Sequence, residues 1–230
     1  MRTFKIPRAP YGDEKIYAKK SVTFEPGVTV LVGCNGSGKT TLMRLIERQL
    51  KDTKTPCLYY DNLTEGGANA RSKAAFYEDF NFVGSSMCSS EGENIIMNME
   101  RTASAMGRMS QLYKEEKELW FFFDAIDSGL SIDNIMDIKE YLFKTVIEHN
   151  ADKEVYIIVS ANEYEMASGE KCFDVQRCQY INIKTYNAYK KLILKSKERK
   201  KAIYEEFRQK KEPIRKRRPS AVVREVEKNS

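Results

Sequence analysis

The nine residues Gly33-Cys34-Asn35-Gly36-Ser37-Gly38-Lys39-Thr40-Thr41 constrain this chain more than any other stretch. They read G-x-x-x-x-G-K-T, the phosphate-binding P-loop pattern. The flanks agree with it. Val28-Thr29-Val30-Leu31-Val32 is β-branched and apolar, as a strand buried on both faces must be. Leu42, Leu45, Ile46 and Leu50 recur at helical spacing, so a helix opens at about Lys39. Strand, glycine turn and helix N-terminus together make an anion site. Glycines let backbone N–H groups converge on phosphate oxygens, and the helix end adds partial positive charge. The expected nucleotide-binding residues are Gly33, Asn35, Gly36, Ser37, Gly38, Lys39, Thr40 and Thr41. Lys39 would reach the β- and γ-phosphates, and the Thr40 hydroxyl would ligate Mg²⁺.

The rest of the chain alternates strands and helices around that motif. Pro7, Pro10 and Gly12 mark residues 1–20 as irregular at the start. Ser21–Phe24 reads as a strand, turned by Glu25-Pro26-Gly27 into the P-loop strand as an antiparallel lead-in. Strands are expected at 56–60, 119–124 and 155–159, and a terminal hairpin at 173–175 and 180–183. A short helix fits 72–80. A long amphipathic one runs from 94 to about 118, and another spans Ile132–His149. A basic helix follows at 186–211, with Pro213 as its stop. This pattern predicts an α/β P-loop NTPase: a mostly parallel sheet flanked by helices, with an antiparallel lead-in. Such sheets bind ligands at the carboxyl ends of their strands. The P-loop and Asp124 both fall there and can share one site. Four apolar residues and then Asp124 form the Walker B pattern, whose carboxylate would support Mg²⁺.

Composition closes off other chemistries. His149 is the single histidine, so a zinc site or a serine–histidine triad is hard to build. The five cysteines are scattered without a C-x-x-C pair, which fits reduced thiols in a cytoplasm. No apolar run approaches a membrane span, so no membrane partner is expected. The charge is uneven. From Lys190 to Ser230 there are 16 Lys/Arg against 6 Asp/Glu, a net of +10. The whole chain carries +6, which leaves −4 on residues 1–189. We therefore divide the chain into a P-loop domain at 1–189, a basic helix at 190–212 and a flexible basic tail at 213–230. The basic end either meets an acidic partner such as nucleic acid or is simply solvated.

Three motifs in register resemble one family. Cys34-Asn35-Gly36-Ser37-Gly38-Lys39-Thr40-Thr41-Leu42 is similar to the P-loop of ABC-type ATPases, N-G-S-G-K-T/S-T-L. Ser89-Ser90-Glu91-Gly92-Glu93 resembles the ABC signature, L-S-G-G-Q or L-S-G-G-E. Ser128-Gly129-Leu130-Ser131 resembles the D-loop S-G-L-D. The resemblance covers roughly residues 20–165. Glu93 looks more like the SMC, RecF and SbcC branch than the transporters, and small phage and mobile-element ATPases are similar too. Only about fifty residues separate P-loop and signature, too few for the long coiled coil of members that bridge DNA.

The resemblance implies two heads sandwiching two ATP molecules as a homodimer. Ser90 and Gly92 of one copy would then cap the γ-phosphate held by the other. Glu91 stands where the pattern has glycine, and Asp61 or Asn62 stands where it has the Q-loop. Ala125 occupies the place of the catalytic Glu, as a native residue or as a substitution that traps the ATP-bound dimer. Asn162 is nearest the place of the switch His. The implied catalytic set is thus Lys39, Asp124, Ala125 and Asn162, with binding expected to outlast turnover. The function so implied is an ATP–Mg²⁺-dependent dimeric switch in DNA maintenance, phage replication or anti-phage defence, with nucleic acid or a protein effector on the basic helix. The alternatives are a nucleotide-dependent binding module without hydrolysis, or a transporter's nucleotide-binding subunit.

Overall fold

The computed structural model describes residues 1–9, 15–62 and 91–216. Its strands are β1 (Arg2–Lys5), β2 (Ser21–Phe24), β3 (Gly27–Val32), β4 (Cys57–Asp61), β5 (Glu118–Asp124), β6 (Glu154–Ser160), β7 (Lys171–Asp174) and β8 (Gln179–Ile181). Its helices are α1 (Lys39–Asp52), α2 (Glu91–Leu112), α3 (Ile132–Asp137), α4 (Thr145–His149), α5 (Tyr164–Ala167) and α6 (Tyr186–Lys216). A π-helical stretch, Ile138–Lys144, joins α3 to α4. The main sheet has six strands in the order β4-β5-β6-β3-β7-β8. All neighbours are parallel except the β7–β8 hairpin.

β5 shows why the sheet needs helices on both faces. Leu119, Trp120, Phe121, Phe122 and Phe123 are all buried. Alternation sends them to opposite sides. Leu119, Phe121 and Phe123 join one core with Met106, Ile135, Ile138, Leu142 and Phe143. Trp120 and Phe122 join a second core with Leu42, Met43, Ile46 and Leu50 of α1. A continuous apolar run is what a doubly covered parallel strand requires.

The antiparallel lead-in is present as a separate two-stranded sheet. Its pairing differs from the expectation: β2 pairs with β1, not with the P-loop strand, which is parallel to both its neighbours. Pro7 follows β1 rather than interrupts it, and Pro10 lies outside the described residues. Phe4 anchors it, packed edge-on against Trp120 at 5.2 Å between ring centroids. Two further boundaries shift. α2 ends at Leu112, short of 118, because Tyr113–Lys117 is a polar turn closed by the Glu116 N–H on the Tyr113 carbonyl. α6 passes Pro213 and runs to Lys216. One missing N–H does not end a helix already about seven turns long. The helix expected at 72–80, Ser89 and Ser90 of the expected signature, and residues 217–230 lie outside the described residues.

Register places the site. Asp61 pairs with Asp124, Asp124 with Ser160, and Ser160 with Leu31. These four residues form one row across the carboxyl ends of β4, β5, β6 and β3. The loops that leave this row build the site.

Candidate functional site

Gly38 is the hinge between the loop and α1. It sits at φ 97°, left-handed backbone that glycine adopts without a Cβ penalty. A Cβ there would come within 2.9 Å of both Ile16 Cγ2 and the Tyr17 hydroxyl. Tyr17, buried against the loop, donates to the Gly38 carbonyl at 2.9 Å. The Ser37 N–H closes a turn on the Cys34 carbonyl at 3.0 Å. The Ser37 hydroxyl is buried with no hydrogen-bond partner. α1 carries no acidic residue in its first turn, where Thr40 is exposed and Thr41 half-buried.

Lys39 lies inside this turn, 8% exposed. Its Nζ donates to the Gly33 carbonyl at 2.9 Å and to Asn162 Oδ1 at 3.5 Å. Burial lowers its pKa, with the charges of Asp127, Cys34 and Asp124 pulling the other way. The structure thus brings Gly33, Lys39 and Asn162 together at hydrogen-bonding distance, with Asp124 close by.

Asp124 is buried but not bare. Oδ1 accepts from the Ser160 hydroxyl at 2.5 Å and Oδ2 from the Tyr59 hydroxyl at 3.0 Å. Burial, and next the Asp124 charge, push the Tyr59 phenol up, so it stays a donor. Arg44 stacks 3.5 Å over the Tyr59 ring and pairs with Asp61 at 3.3 Å. Ser160 also accepts the Ala125 N–H at 2.9 Å. Ala125 sits at φ 54°, a left-handed conformation that costs a non-glycine residue about 1 kcal/mol. Asn62 holds it there, its Nδ2 donating to the carbonyls of Ala125 at 3.1 Å and Ser128 at 3.2 Å. Of the two Q-loop candidates, Asn62 therefore ties the turn after Asp124, and Asp61 faces α1 through Arg44.

Asp127 joins two loops into one. Its Oδ2 accepts the N–H groups of Asn162 at 2.6 Å and Glu163 at 2.7 Å. Oδ1 is buried without a partner. Burial raises the carboxyl pKa above its ordinary 3.8, and the backbone donors only partly offset this. The raised folded value means that the protonated form is favoured by folding. Stability from this group is complete below pH 3.8 and is lost as pH rises through the folded value. Asp127→Asn keeps an acceptor for both N–H groups and has no charge to bury. Thermal unfolding across a pH series should show the wild type losing stability relative to Asp127→Asn as pH rises from 3.8 to the raised folded value, with the difference constant above it. A difference constant through that range as well would remove burial as the cause.

α6 closes the site from outside. Tyr189 donates to the Asn162 carbonyl at 2.8 Å. Ser196, 1% exposed, accepts the Cys34 N–H at 3.0 Å and donates to Gln176 Oε1 at 2.9 Å. Arg199 pairs with Asp174 at 3.1 Å, and the Lys200 ammonium donates to the Asn35 carbonyl at 2.9 Å. Sequence reading missed Tyr17, Tyr59, Ser160, Tyr189, Ser196 and Lys200 as site residues. One signal was there: Ser196 interrupts the basic helix on the stripe of Tyr189, Leu192 and Ile193.

The residues fit a polyphosphate: a buried cation answered by carbonyl oxygens, an orphaned hydroxyl and a helix end free of acid. They fit Mg²⁺ only as a shared ion. Among the described residues no three His, Cys, Asp or Glu side chains cluster to hold a metal. Mg²⁺ on a nucleotide needs just one or two protein oxygens, which Thr40 and Asp124 offer.

A family model described as ABC transporter matches residues 18–171. This chain belongs to that family. The ABC match takes in β2, the P-loop, β5, β6 and the loops after them, and it stops before α6. A stretch of 34 residues is 62% identical to the DNA replication and repair protein RecF of Arthrobacter sp. (strain FB24). That stretch is 15% of this chain and spans 8% of the RecF protein. Of the residues expected to form the signature, Gly92 lies on the backbone of α2 and Ser90 lies outside the described residues.

Proposed function

We propose that this chain is an ABC ATPase head that binds ATP with Mg²⁺ and closes face to face with a second copy, as a switch in DNA maintenance. The observation that carries this reading is the Lys39 ammonium, buried among carbonyl oxygens at the start of α1. Both of its hydrogen-bond acceptors are neutral oxygens, weaker than a phosphate oxygen that could replace them. The residues divide the work. Lys39 and the loop N–H groups hold the phosphates, and Asn162 steadies Lys39 from the opposite side. Thr40 and Asp124 hold Mg²⁺, with Ser160 and Tyr59 fixing the carboxylate. Bound Mg²⁺ supplies positive charge against the phosphate oxygens. Ala125 has no group to orient water, so binding outlasts turnover.

ABC ATPases commonly dimerise, which supports assigning Ser90 and Gly92 to the second copy's site. The likeness to RecF and the exposed lysines of α6 favour a DNA-side setting, which takes in phage replication and anti-phage defence. Among the described residues no helix is long and apolar enough to cross a membrane, and Cys34, Cys57, Cys172 and Cys178 are free thiols, as in a reducing cytoplasm.

Lys39→Ala is expected to weaken ATP binding by about 10–100-fold, since a hydrogen bond to a charged group is worth about 1.5–3 kcal/mol. Calorimetric titration with Mg²⁺ checks it, and unchanged affinity would reject this site. Native mass measured with and without Mg²⁺-ATP tests the pairing of copies; a single copy in both conditions would reject it. DNA binding at low salt, weakening steeply as salt is added, tests the setting.

A further inference from the structure

We propose that Lys200 of α6 belongs to the nucleotide site and reads the third phosphate. The inference rests on the nucleotide reading above and goes beyond it, because α6 lies outside the segment that matches the ABC family.

Lys200 is not a stray surface lysine. Its helix is locked to the P-loop one turn earlier by Ser196, which is buried and bonded on both sides, to the Cys34 N–H and to Gln176. The Arg199–Asp174 pair holds the next position against the end of β7. These contacts deliver the Lys200 ammonium to the exposed rim of the loop. It lies 2.9 Å from the Asn35 carbonyl, and a Cβ built on Gly36 would be 2.6 Å from it. Gly36, at φ 72°, is needed for the turn, and its missing side chain leaves the ammonium close to the loop backbone.

The loop thus carries two ammonium groups. Lys39 is buried within it, beside α1, and Lys200 stands on the rim at Asn35 and Gly36. Phosphates seated at the N-terminus of α1 are served by Lys39 and the loop N–H groups. Negative charge extending beyond them comes to the rim. There Lys200 rests on a neutral carbonyl, a weaker acceptor than a phosphate oxygen. Exchanging that acceptor for an anionic oxygen needs only movement at the end of a flexible four-carbon stem. A diphosphate leaves Lys200 on Asn35, and a triphosphate draws it in.

The test compares ATP and ADP binding, with Mg²⁺, to the full chain and to Lys200→Gln, Lys200→Ala, Lys200→Arg and Lys39→Ala. Gln can keep the hydrogen bond to Asn35 without the charge. Lys200→Gln and Lys200→Ala are expected to lose about tenfold in ATP affinity and to keep ADP affinity within about twofold. Lys200→Arg is expected to keep most of the preference for ATP. Two results would overturn the proposal: Lys200→Gln binding ATP like the wild type, or losing ATP and ADP equally, which is a seat for the helix and nothing more. A Lys39→Ala protein that binds both nucleotides normally would reject the underlying site instead, and so is told apart from either. Melting temperatures of the unliganded variants accompany the titrations, so that a loss of folding is not read as a loss of contact.

Discussion

Ala125→Glu is expected to raise single-turnover ATP hydrolysis by about 10²–10⁴-fold, the usual contribution of a positioned general base. The backbone at this position is already built to aim a side chain. Its N–H is held by Ser160 and its carbonyl by Asn62, with Asp124 the preceding residue. The left-handed φ of 54° strains Ala and Glu alike, so the exchange adds no backbone penalty. Nucleotide affinity should change little, because Lys39 and the loop are untouched. Phosphate release in rapid-quench experiments measures the gain. Adding Asn62→Ala to Ala125→Glu should remove part of it, since one anchor of the turn is gone. An Ala125→Glu protein as slow as the parent, with intact binding, would mean that this position does not hold the missing base.

Trp120→Ala is expected to cost about 3–5 kcal/mol of stability, the range for deleting a large buried aromatic. Trp120 is fully buried on β5. It stacks on Tyr156 at 3.9 Å between centroids and receives Phe4 edge-on at 5.2 Å. The truncation therefore opens a cavity between β5, β6 and the small β1–β2 sheet together. For a protein of this size the loss corresponds to roughly 2–4 °C of melting temperature per kcal/mol. Trp120→Phe should cost clearly less. It refills part of the space and removes the indole N–H, which is buried without a partner. Chemical denaturation with both variants checks the order. A loss below about 1 kcal/mol for Trp120→Ala would show that this side of the sheet is not part of the cooperative core.

Much of this architecture is legible from residues alone, because it is written in local periods. The run of β5 announces a doubly covered strand, and Gly38-Lys39 announces the helix that follows the loop. The pairing of β2 with β1 was not legible, because only Phe4 and Ile6 mark a buried face before Pro7, too short a run to announce a strand. The supports of the site were hidden for another reason. Ser160 and Asp124 are 36 residues apart, Tyr59 and Asp124 are 65, and Ser196 and Cys34 are 162. A hydroxyl that meets its partner over such a separation leaves no periodic trace. Asp127 shows the same limit. Nothing in the local sequence announces that its carboxylate holds the N–H groups of Asn162 and Glu163, 35 and 36 residues away.

The seating of α6 has a mechanical side. The rod is fixed near one end, at Tyr189, Ser196 and Lys200, and continues to Lys216. From Ser196 the distance along the axis is about 6 Å to Lys200 and about 30 Å to Lys216. Because these contacts hold the rod rather than hinge it, a tilt of its seat by about 1 Å over the span from Ser196 to Lys200 would be carried as about 5 Å at Lys216. The fold therefore contains a pointer whose short arm touches the loop and whose long arm extends beyond it to Lys216.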